Sequence, residues 1–166
     1  MTGTKEILGV AIILSFLAGG VRAETPEEWI ALGTRVHGFF GGFIPAGIRI
    51  GLDALDRLKG KPRGLTVTYW KGEKAVCPCI LDGVMLAVGA SPGQGTVTIA
   101  PEPAPTGDFA VIVIRDRKTG EGLRYTVAED WQWKMIVWNK EEPLARYGEA
   151  MKADGMFTVE PAPSAN

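Results

Sequence analysis

The chain is poor in the side chains that most often run chemistry: one histidine, two cysteines and three tyrosines in 166 residues. A single imidazole rules out sites built on paired histidines. It also leaves no Ser/His/Asp or paired-carboxylate set that can be singled out, because His37 would have to serve every scheme. Charge of one sign is lacking as well, with 18 Lys and Arg against 19 Asp and Glu. Without a basic cluster to neutralise phosphates, the expectation is no nucleic-acid partner. Long hydrophobic runs are also missing. The longest, Ile7 to Ala18, falls short of the about 17 to 25 apolar residues a membrane helix needs.

That run has another reading. Lys5 precedes it and small residues lead to Val21-Arg22-Ala23 before Glu24, the pattern of a signal peptide cleaved after residue 23. The expectation is an exported protein, periplasmic in a Gram-negative source, with a signal peptide over 1–23, one domain over 24–159 and a disordered tail over 160–166. A chain of this size buries enough surface for one core without staples.

Both cysteines lie in Cys77-Pro78-Cys79. Proline fixes its own φ and pushes Cys77 towards extended geometry, which makes the pair a stiff clip. In an oxidising compartment two cysteines usually form a structural disulfide, but a bridge across one residue closes almost no loop and removes little unfolded-state entropy. Metal ligation or redox chemistry explains the spacing better than stapling. Two thiolates and the His37 imidazole would balance a divalent ion such as zinc and leave a fourth position open; they would also suit Cu(I). The plainer alternatives are a buried, inert cysteine pair and a packed histidine beside a glycine turn.

Around the clip, Pro26 to Arg35 reads as an amphipathic helix, followed by a glycine-rich stretch from His37 to Phe43. Ile48, Gly51, Leu52, Leu55 and Leu58 recur at helical spacing. Leu65 to Trp70, Thr96 to Ala100, Phe109 to Arg115 and Leu123 to Ala128 read as strands, and Leu81 to Val88 as a short helix closed by Gly89. Asp82 would complement the dipole of that helix or orient His37 by accepting a hydrogen bond from its ring. Met85 would add a thioether or simply fill the core. The stretch Gly89 to Gly95 follows a helix and enters a strand, the reverse of a phosphate loop. Trp131 to Trp138 fits helical and strand periodicity alike. Its Trp131, Trp133 and Trp138 would either pack on the sheet or rim a pocket. Leu144, Tyr147 and Met151 mark a last helix.

Three pieces together resemble the formylmethanofuran dehydrogenase E-type family. These are His37-Gly38 before a helix with Arg49, Gly51 and Leu55; Cys79-Ile80-Leu81-Asp82 through Gly89 and Gly93-Gln94-Gly95; and the hairpin Arg117 to Gly122. They span about residues 36 to 127. The resemblance implies an α+β fold, helix-strand-helix-three strands, with a small mixed sheet covered by helices and an extra C-terminal helical segment. It also implies a metal site, often zinc, of His and Cys ligands. Only His37 and Cys79 carry over as ligands: Phe39, Gly41, Gly42 and Phe43 stand where that family's opening has a further His and Cys, Ala90 replaces a later Cys, and Cys77 is an addition. Three functions follow as expectations. The first is an exported metal-binding protein that handles its ion or docks to a redox complex, with a homodimer left open. The second is a thiol-redox protein or small enzyme using Cys77 and Cys79, and the third an interaction module with a decayed metal site.

Overall fold

The computed structural model describes residues 23–163; all of the expected signal peptide except Ala23 lies outside them. Helix α1 (Pro26–His37) opens with a capping box in which Thr25 and Glu28 bond each other's backbone amides, has Pro26 in its first turn, and stops at Gly38 in the left-handed region (φ 86°). Helix α2 (Phe43–Arg57) follows after a short glycine-rich turn. Strand β1 (Leu65–Lys71), helix α3 (Ile80–Val88) and strand β2 (Val97–Ile99) form a crossover in which β2 pairs parallel to β1. Strands β3 (Asp108–Asp116) and β4 (Gly122–Ala128) make an antiparallel hairpin beside β1. Helices α4 (Trp131–Val137) and α5 (Pro143–Lys152) lead to a last strand, β5 (Thr158–Pro161).

The fold is α+β, as expected: a mixed five-stranded sheet in the order β2-β1-β3-β4-β5 with helices packed on it. The fifth strand is absent from the sequence reading. Glu160 and Pro161, which that reading assigns to a tail, pair with Arg124 and Leu123, so the sheet takes in the start of that segment. Thr158 to Pro161 lacks a long apolar alternation because β5 is a solvated edge.

Tyr69, Ile112 and Tyr125 stand in register across β1, β3 and β4 and are fully buried beneath the helices. Val111 and Val113, also buried, point to the other face. There the Pro-rich loop after β2 lies near Trp70, whose indole donates to Glu102 Oε1 at 2.9 Å.

Two glycines set how α3 sits on α2. A Cβ on Gly47 would collide with the carbonyl oxygen of Ile80, and one on Gly83 with that of Ile44. The two backbones therefore cross in direct contact, which fixes the start of α3, and with it Cys79, against the start of α2. The ambiguous Trp131 to Trp138 segment is helical, because a helix places Gln132 and Met135 together inside. Trp131 and Trp138 are partly buried against the core, whereas Trp133 is 59% exposed. On α5 the buried residues are Arg146 and Ala150, while Leu144, expected on the inner face, is 53% exposed. Among the described residues no helix is long and apolar enough to cross a membrane.

Candidate functional site

The C-terminus of α1 and the N-terminus of α3 meet at one cleft. His37 is the last residue of α1, and the left-handed Gly38 turns the chain away immediately after it. Cys79 is the N-cap residue of α3, with no side-chain capping bond, and Asp82 lies in the first turn. His37 Nδ1 and Asp82 Oδ2 are 2.7 Å apart, although 45 residues separate them in sequence. Their side chains are 28% and 33% exposed, so the pair sits at the mouth of the cleft and not in the core.

Asp82 therefore both lies in the first turn of α3, where a carboxylate complements the helix dipole, and contacts the imidazole. A carboxylate bonded to one ring nitrogen fixes the ring's direction and leaves the other nitrogen for a ligand or proton. The cleft has a volume of about 320 Å³ and is walled by His37, Cys79, Asp82, Met85, Val97 and Ile99. Met85 thus lines the cleft while also packing on the core.

Cys77 is not on the cleft wall but is joined to Cys79 by a disulfide, with Cα atoms 5.3 Å apart. The Cys79 amide lies 3.4 Å from Cys77 Sγ, and the Leu81 amide donates to the Pro78 carbonyl at 2.9 Å, which ties the clip into the first turn of α3. Among the described residues, no group of three or more His, Cys, Asp or Glu side chains is placed to hold a metal ion. As a disulfide the two sulfurs carry no thiolate, and one imidazole alone does not chelate. The three residues fit a soft or borderline ion only as a dithiol.

Sequence reasoning missed part of the frame. Val97 and Ile99 close the cleft from the edge strand β2, and Ile99 is 60% exposed. Such exposure of an apolar residue in a strand cannot be read from alternation, which reports a face and not an edge. Arg146 was also missed. Its guanidinium donates to the carbonyls of Phe40, Trp138, Asn139 and Glu141, and Asn139 Oδ1 accepts from the Gly42 amide at 2.8 Å. The glycine-rich turn that follows His37 is thereby held to the α4–α5 connection.

A family model described as FmdE, molybdenum formylmethanofuran dehydrogenase operon, matches residues 36–157. The chain belongs to the FmdE family. The match begins beside His37 and runs past the late hairpin, where the sequence resemblance stops, so that α4 and α5 fall inside the family domain. No curated protein matches the chain.

Proposed function

We propose that this FmdE-family protein is an exported metal-handling protein whose Cys77–Cys79 pair, once reduced, holds zinc or Cu(I) together with His37. The observation that carries the reading is the convergence of His37, already oriented by Asp82, and Cys79 on one cleft. Reduction consumes two electrons and two protons from a dithiol or two monothiols, which leave as the disulfide, and frees both sulfurs as ligands. The ion is cargo: bound by the dithiol and released when the pair re-oxidises by exchange with a disulfide, which takes the two electrons and two protons and leaves as a dithiol, or passed to a redox-complex protein docked over the cleft. Removing a proton from each thiol, at an ordinary pKa of about 8.5, costs roughly 2 kcal/mol at pH 7. Ion binding therefore weakens as pH falls. Export rests on the Lys5 to Ala23 pattern and is checked by the mature N-terminus, expected at Glu24.

The test is a zinc competition titration on reduced protein. The Cys79→Ser and Cys77→Ser variants are expected to lose binding by at least about a hundredfold. His37→Ala should lose about as much, and Asp82→Asn about tenfold, the usual size of an orienting contribution. Equal affinity in His37→Ala and wild type would remove the imidazole from the site.

A second reading is favoured by the disulfide itself. In it the pair shuttles electrons with a partner dithiol and the cleft takes no ion. Thiol counting across a glutathione series would then show a reversible two-electron titration, whereas the reduced protein would bind no zinc.

A further inference from the structure

Between α4 and α5 lies a second cavity, unrelated to the cysteines. It has a volume of about 530 Å³ and is walled by Trp131, Trp133, Trp138, Lys134, Glu149 and Lys152. Three indoles within eight residues face one space. Trp131 and Trp138 are backed by the core and tilted against each other, with ring centroids 6.4 Å apart. Both are therefore fixed walls. Trp133 is different, since it spends an indole on the surface with Val137 beside it, and both are more than half exposed. Cavities of roughly 300–1,000 Å³ with apolar walls and a few polar groups are typical of small-molecule sites.

The polar groups narrow the class. Lys134 Nζ lies 3.9 Å from the centre of the Trp131 ring and 4.0 Å from the Asp130 carboxylate, which holds its cation at the cavity wall. Lys152, from the last turn of α5, adds a second cation and has no ion-pair partner among the described residues. Glu149 is the single carboxylate on the wall. On the wall itself two cations face one carboxylate, while Asp130 pairs with Lys134 from outside the wall and leaves Lys152 as the cation without an ion-pair partner among the described residues; flat π-faces beside these cations complement a planar ring that carries negative charge.

From this we infer that the groove between α4 and α5 binds a flat aromatic or heteroaromatic acid, stacked on the indoles with its anionic group on Lys134 and Lys152. Glu149 is placed to accept from a ring N–H. The site shares no wall residue with the His37 cleft, so its occupancy neither requires nor reports metal binding.

Indole N–H signals provide the test, because the chain has five tryptophans and the other two serve as internal controls. Trp29 is buried in α1 and Trp70 is bonded to Glu102. The full-length mature protein is titrated with 2-naphthoate and with its neutral isostere 2-naphthamide. The expected result is a saturable shift of the Trp131, Trp133 and Trp138 signals by naphthoate, with Trp29 and Trp70 unmoved. Naphthamide should bind at least about tenfold more weakly. Trp133→Ala should abolish the shifts, and Lys134→Gln with Lys152→Gln should bring naphthoate down to the level of naphthamide. Parallel shifts of all five signals, or no saturable shift, would overturn the site. Equal binding of the two probes would overturn the acid. Shifts that follow protein concentration in place of probe would make the groove a contact between copies of the chain and defeat the proposal.

Discussion

Arg146 is the residue whose loss should be felt furthest. At 3% exposure it carries a buried charge with no carboxylate among its hydrogen-bond partners, balanced instead by four carbonyl oxygens from two separate turns. Burial draws its pKa down, yet a guanidinium stays charged at any ordinary pH. Removing it takes the side-chain donor from the buried Phe40 carbonyl and breaks the tie between the two turns, although the Trp138 carbonyl keeps the Glu141 amide as a donor. Arg146→Met is therefore expected to cost about 3 kcal/mol, and Arg146→Lys nearly as much, because an ammonium cannot reach two turns with a fixed fork. Urea unfolding measures both, and a loss below about 1 kcal/mol would contradict the role. Tyr69 is the opposite case. Its hydroxyl is buried with no hydrogen-bond partner among the described residues, and desolvation pushes its pKa far up. Tyr69→Phe should leave stability unchanged or raise it by up to about 1 kcal/mol; a clear loss would mean the hydroxyl is satisfied. Neither residue stands out in the sequence. Arg146 is two positions from Leu144 on a helix read by its apolar stripe, and the burial of Tyr69 is visible in β-alternation while its missing partner is not.

The elements themselves were largely legible, because most carry period and punctuation together: Thr25 and Pro26 start α1, Gly38 ends it, and Gly89 ends α3 in the left-handed region. What the chain did not show is how elements meet. Gly47 and Gly83 look like weak points in two helices until the helices are seen to cross through them. Gly83→Ala should force α3 away from α2, at a cost of about 3 kcal/mol, and should loosen the His37 cleft by moving Cys79. The readouts are thermal unfolding and the zinc titration of the reduced protein. Unchanged values in both would contradict the close crossing. The β3–β4 turn gives a pH-dependent counterpart. The Asp116 carboxylate accepts from the Lys118 and Thr119 amides at 2.7 and 2.9 Å, and these bonds hold its pKa below the usual carboxylate range. A depressed folded-state pKa contributes stability above the unfolded value, lost as pH falls through the folded one. The stability gap between wild type and Asp116→Ala should therefore be open at neutral pH and close in acid; a gap independent of pH would contradict that contribution.

At the scale of the whole molecule, the candidate site was half legible. His37, Cys79, Asp82 and Met85 are all nameable from the sequence and all reach one cleft, because two of the three pieces that carry the family resemblance sit on the two helix ends that meet there. The closed Cys77–Cys79 bond, the edge-strand wall and the buttress from Arg146 depend on three-dimensional neighbours and left no local signal. The domain presents two candidate sites. A cleft walled by the Cys79 half of the disulfide and the His37 imidazole lies where α1 meets α3, and an aromatic groove lies on α4 and α5, on the stretch the family match adds beyond the late hairpin. The central claim is that the first site changes with redox state. Its most direct measurement is the count of zinc ions bound per chain by the mature protein, made once with the Cys77–Cys79 disulfide intact and once after anaerobic reduction. The expected result is no ion in the oxidised sample and one in the reduced sample. Equal counts in the two samples, whether none or one, would contradict it.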